Sequence, residues 1–167
     1  MSKPTARSAG PGAKTNSGMA SVEQVFHRLL GLSSSWRVYH IELEPAPKTL
    51  VIGIVETPEL WEEESRRAGH RIVCHDHQEP RQWRHLNALG KPCVIVCALP
   101  RGRRLFSGEV YPIAPPWEGR SQSFTKGFET LALALIKEMP VSKAGELLGD
   151  VQPQVLWQMS SAQNWVS

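Results

Sequence analysis

Apolar residues follow two rhythms along this chain. Val22, Val25, Phe26, Leu29 and Leu30 recur at helical spacing behind Ser21, a good N-cap, and Gly31 stops the run. From Trp36 to Leu43 the rhythm becomes alternation. Pro45-Ala46-Pro47-Lys48 then supplies a turn and Thr49–Glu56 a return strand, which predicts an antiparallel hairpin. Leu60–Gly69 carries Glu62, Glu63, Glu64, Arg66 and Arg67, and reads as either one helical turn or a loop. Ile72–His77 predicts a strand running into a turn, and Val94–Leu99 a buried strand.

Beyond residue 123 the helical period returns. Ser123 or Thr125 can cap a helix in which Phe128, Leu131, Leu135 and Met139 share a face, and Pro140 ends it. Val141, Ala144, Leu147 and Leu148 predict a second, short helix with Gly149 as its C-cap. Asp150 can cap a third, Gln152–Trp165, with Val155, Leu156, Met159 and Trp165 facing inward. Helix, short helix, glycine turn, helix is the outline either of a helix-turn-helix unit or of a plain small bundle. The expected fold class is α+β, divided into a basic tail (1–20), a short helix with an antiparallel β subdomain (21–122) and a helical unit (123–167).

Composition adds a location for charge. The 167 residues carry a net +3, but residues 66–104 hold nine basic side chains against Asp76 and Glu79. Residues 23–65 hold three basic against eight acidic ones. An electrostatic footprint for nucleic acid is therefore expected in the middle of the chain, on Arg81, Arg84, Arg101, Arg103 and Arg104. The third C-terminal helix has no Lys or Arg, yet Gln154 and Gln158 on it have the chemistry to read adenine edges. Residues 1–20, rich in Ser, Gly, Pro and Lys, read as a disordered tail. No apolar run approaches the roughly 20 residues of a membrane span. No signal peptide is expected either. An odd count of three cysteines without framework spacing predicts a reduced, cytoplasmic protein.

Catalytic and metal motifs are sparse. Cys74, His75 and His77 are too tightly spaced for an ordinary tetrahedral zinc set, and Cys93 and Cys97 fall on one face of a buried strand. No metal or cofactor is expected. Glu42, Glu44 and Glu56 read as a solvated face. There is no phosphate-binding glycine loop, nucleophile elbow or spaced acidic triad, so no enzyme activity is expected.

A series of phrases, taken in order, resembles the N-terminal half of insertion-sequence transposases of the ISL-three type. These are Leu29–Val38, Trp83-Arg84-His85-Leu86-Asn87, Pro100-Arg101, Pro116-Trp117, Phe124-Thr125 with Phe128-Glu129, Met139-Pro140-Val141 and Leu147-Leu148-Gly149. In that family a zinc ribbon and a helix-turn-helix precede a catalytic domain with three acidic residues. The resemblance spans about Phe26 to Trp165. It puts Ser65 and Ala68 at the first zinc knuckle and Arg104 and Ser107 at the second, so all four ligands are replaced while Gly69 and Gly108 remain. It implies a ribbon-like subdomain held by packing. The chain stops near the end of the helix-turn-helix, so the family's catalysis is not expected.

Two functions follow as expectations. One is a non-catalytic, transposase-derived DNA-binding or regulatory protein of a mobile element. The other is a repurposed interaction module that modulates a nucleoprotein complex or host nuclease, for example in a CRISPR system, with Trp61, Trp117, Trp157 and Trp165 as interface anchors.

Overall fold

The computed structural model describes residues 20–45, 48–88, 90–149 and 151–164. The tail over 1–19, the turn at Ala46-Pro47, the cap expected of Asp150 and the inward Trp165 lie outside the described residues.

The class is α+β. Helix α1 (Val22–Leu29) opens behind Ser21, whose hydroxyl accepts from Gln24 N while the Gln24 side chain accepts from Ser21 N, a reciprocal capping box. Only Phe26, with Leu30 just beyond the helix, packs on the core; Val22, Val25 and Leu29 of the expected stripe are exposed. Strands β1 (Trp36–Pro45) and β2 (Lys48–Glu56) form the expected antiparallel hairpin. Helix α2 (Pro58–Ala68) follows.

The charged segment is thus a helix of 11 residues rather than a single turn. Pro58 sits in its first turn, and Arg66 and Arg67 in its last. Gly69, at φ 78°, closes it in the left-handed region. Leu60 is the helix's one buried residue, which is why the apolar pattern understated it.

Strands β3 (Ile72–His77), β4 (Arg81–Ala88), β5 (Lys91–Cys97) and β6 (Pro100–Arg104) make one long bent ribbon. Its inner half pairs β4 with β5 and its outer half pairs β3 with β6, while Gln78 N donates to Leu99 O at the bend. The inner half joins the hairpin in a sheet of order β1-β2-β5-β4; the outer half forms a second sheet, β3-β6-β7, with β7 (Val110–Pro112). The first sheet is mixed, not purely antiparallel as expected. Leu50–Gly53 runs parallel to Cys93–Val96, because α2, β3 and β4 intervene and turn the chain before β5. Tryptophans bind this core together. Trp36 and Trp83 meet Trp117 edge-on at 5.0 and 5.4 Å between ring centroids. Trp117, expected as an exposed anchor, is therefore a core residue, and Trp61 packs against the same cluster.

Helices α3 (Lys126–Glu138), α4 (Val141–Leu147) and α5 (Pro153–Asn164) follow. Thr125 rather than Ser123 caps α3, accepting from Phe128 N. Phe128, Ala132, Ala144, Leu148, Leu156 and Met159 make a second buried cluster. Leu131 and Leu147 were expected inward but are exposed, because these short helices bury a narrower strip through small Ala132 and Ala144. Gly145 lets the turn close, since a Cβ there would lie 2.3 Å from the Val151 carbonyl. Among the described residues no helix is long and apolar enough to cross a membrane.

Candidate nucleic-acid interface

The five arginines expected at phosphates sit in differing surroundings. Arg81 donates to Glu118 and to the Gln122 carbonyl and lies over the Trp83 ring, 4.6 Å from its centroid. Arg84 donates to Asn87 Oδ1 and, across to the helical unit, to the Leu148 carbonyl at the end of α4, both at 2.9 Å. Burial holds its guanidinium below the ordinary arginine range. Arg101 grips both oxygens of Asp76, which pulls the Asp76 carboxyl below its usual range. Arg104 reaches Glu109 at 3.3 Å and His70 at 3.2 Å and lies over Tyr111. Arg103 is exposed, and its side chain makes no hydrogen bond or ion pair among the described residues, although its backbone is paired within the sheet. The structure thus disperses the five over a ribbon and two sheets, and four of them anchor other parts of the fold.

A different basic surface lies beside α3. Arg120, Lys126 and Lys137 line one groove with Thr130, Leu133, Ala134 and two carboxylates, Glu118, which is paired with Arg81, and Glu129, which accepts backbone N–H groups. All three cations are exposed, and none is ion-paired among the described residues. Lys126 and Lys137 are three helical turns apart and so share a face. That spacing was legible in the sequence; the approach of Arg120, carried on a loop, was not.

Glu129 places the loop. The residue is 8% exposed, and its carboxylate accepts from the backbone N–H of Arg120 at 2.7 Å and of Ser121 at 2.9 Å. Gly119 makes room for it, because a Cβ there would sit 2.3 Å from Glu129 Oε1.

This groove continues onto α5. Arg120, Glu129 and Leu133 also line a cleft with Phe124, Val155 and Gln158. Gln154 and Gln158 are exposed on the outward face of α5, and Trp157 between them is 60% exposed. The helical unit is tied to the ribbon beyond Arg84. Arg84 N donates to the Ser123 carbonyl and Thr125 N to the Arg84 carbonyl, while His85 Nδ1 meets Thr125 Oγ1 at 2.7 Å. Burial holds the His85 imidazole below its ordinary range.

Two glycine turns face each other at the far end of the ribbon. Gly69 and Gly108 both adopt φ 78°. Leu105 N donates to the Arg71 carbonyl at 3.2 Å, and the His70 and Phe106 rings lie 6.1 Å apart. Ser65 Oγ accepts from Ile72 N at 2.9 Å. Side-chain and backbone hydrogen bonds therefore join the two turns.

Comparison of the chain with protein-family models, with curated proteins and with solved structures gives no match.

Proposed function

We propose that this chain binds duplex DNA without catalysing a reaction on it, through the groove beside α3 and the outward face of α5. The observation that carries this reading is the continuity of cations with amides whose side chains have no partner among the described residues. Arg120 borders both the Lys126/Lys137 groove and the cleft of Gln158. Cations of this kind neutralise phosphates, and glutamine amides reach base edges. The order of α3, α4, the Gly149 turn and α5 suits a helix-turn-helix. The resemblance to the N-terminal half of ISL-three-type transposases agrees with the paired turns at Gly69 and Gly108, where Ser65 and Arg104 make hydrogen bonds in place of holding zinc.

The test is fluorescence anisotropy on a mixed-sequence duplex between about 50 and 200 mM salt. Affinity should fall steeply with salt. Replacing Arg120, Lys126 and Lys137 together by Gln should flatten the log–log slope by about 2.7, that is about 0.9 for each phosphate the variant no longer neutralises. Arg103→Gln should leave it nearly unchanged. Absence of binding at the lowest salt defeats the proposal.

Trp157 favours a second reading in which the same face docks a protein. An aromatic side chain so exposed is a natural interface anchor. On that reading Trp157→Ala abolishes a complex that the triple Gln variant retains.

A further inference from the structure

We infer that Glu56, Cys74 and His77 form a binding site for a zinc-type divalent cation, separate from the DNA surface and from the four positions that the transposase resemblance aligns with zinc ligands. The Glu56 carboxylate, the Cys74 thiol and the His77 imidazole each offer one ligand atom, and these atoms all lie within 4.8 Å of one another. The sequence hides the set because Glu56 comes from the end of β2 while the other two lie on β3.

A β-bulge puts Cys74 and His77 on the same side. Three residues apart, they would project to opposite faces of a regular strand. The pairing of β3 with β6 shifts between Cys74 and Asp76, so His75 is the extra residue and the alternation resets. Asp76 then points with Arg101, its ion-pair partner, to one face, and His77 with Cys74 to the other. Glu56, at the junction of β2 and α2, meets that second face.

Glu56 supplies the independent sign that a ligand belongs here. Its side chain is 9% exposed. One oxygen lies 2.6 Å from His77 Nε2; the other, Oε1, is buried with no hydrogen-bond partner among the described residues. A buried carboxylate with half its acceptor capacity idle is costly. A cation would use it. Thiolate, imidazole and carboxylate together suit Zn²⁺ and its close analogues rather than Mg²⁺ or Ca²⁺. Tetrahedral coordination with bonds of about 2.0–2.3 Å would need ligand atoms roughly 3.5 Å apart, a small adjustment of these side chains. Cys74 and His77 reach the surface, so a fourth position is open to water. Without a metal, burial and then the charges of Glu56 and Asp76 push the Cys74 thiol up. On binding, that thiol gives its proton to the buffer and the dication offsets the repulsion.

The test uses the reduced full chain titrated with Co²⁺, which reports a sulfur ligand by a thiolate-to-metal charge-transfer absorption, followed by displacement with Zn²⁺. One equivalent should bind with that absorption and be displaced by Zn²⁺. Cys74→Ser, a conservative surface change, should abolish the absorption. His77→Ala should weaken binding at least about tenfold. Circular dichroism verifies that each variant is folded, and Cys74→Ser decides the matter if His77→Ala is not. No charge-transfer absorption in the parent protein, or one that survives Cys74→Ser and so comes from Cys93 or Cys97, overturns the proposal.

Discussion

Replacing Glu129 by alanine should destabilise this protein by about 3 kcal/mol. The residue is 8% exposed, and its carboxylate accepts two backbone N–H groups, at 2.7 and 2.9 Å. Hydrogen bonds to a charged acceptor contribute about 1.5–3 kcal/mol each, so the pair contributes roughly 3–6. Part of that is offset, because the variant no longer buries a carboxylate. A net loss of about 3 kcal/mol follows, with the N–H groups of Arg120 and Ser121 left to find water. Glu129→Gln separates the terms. Its amide oxygen still accepts one N–H, but its NH₂ confronts the other, so about half the loss is expected. Gly119→Ala attacks the same contact from the other side by placing a Cβ 2.3 Å from Oε1, and should cost about 1–3 kcal/mol. Urea denaturation is the assay. With a slope near 2 kcal/mol per molar, Glu129→Ala should move the midpoint down by about 1.5 M. The reasoning is refuted if Glu129→Ala costs less than about 1 kcal/mol, or if Gln and Ala are equally damaging.

Three further outcomes are expected. Burial pushes the thiols of Cys93 and Cys97 up to about 11 and about 12 and hides them from solvent, whereas Cys74, although its thiol is also raised by burial and by Glu56 and Asp76, is exposed. A disulfide reagent near neutral pH should therefore label Cys74 in the native protein, more slowly than an unperturbed thiol, and Cys93 and Cys97 only after denaturant is added. Burial also holds His85 below the usual imidazole range, so the unfolded chain takes up a proton at His85 that the folded chain resists. Stability from this residue is present above about pH 6.5 and is lost as pH falls through the lowered folded value. His85→Gln should show a smaller drop in urea midpoint than the parent on going from pH 7 to pH 5.5, and an equal drop refutes the assignment. Arg84→Met should cost about 1–2 kcal/mol by removing the bond to the Leu148 carbonyl, yet leave the salt dependence of DNA binding unchanged. A flattened salt dependence would return Arg84 to the phosphates.

Local patterns carried much of the fold. Pro140, Gly31 and Gly149 punctuate the helices where the chain breaks, and alternation from Trp36 onward marks the first hairpin, because backbone restrictions and one-sided burial act over a few residues. Elements that bury little were harder to see. Helix α2 hides only Leu60, and β4 fully buries only Trp83 amid Arg81, Gln82, Arg84, His85 and Asn87. Their amphipathic signals are faint, although Pro58 and Gly69 mark both ends of α2.

The first hairpin, the strands at Ile72 and Val94 and the helices at both ends were thus legible in the sequence by itself, together with the midchain excess of arginine and the absence of cations from α5, whereas α2, β4, β6 and β7 emerged only with the fold. Tertiary structure alone decided what those side chains do. Charge counted along the chain pointed to Arg81, Arg84, Arg101 and Arg104, but folding brings Glu118, Leu148, Asp76 and Glu109 to them from distant elements. The same folding leaves Arg120, Lys126 and Lys137 without an ion-pair partner among the described residues in one groove, and sets Glu56 beside Cys74 and His77 across a bulge. The physical reason is common to both. An ion pair or a ligand set is defined by distances of a few ångströms between groups tens of residues apart, and sequence spacing reports such distances only within a single helix or strand.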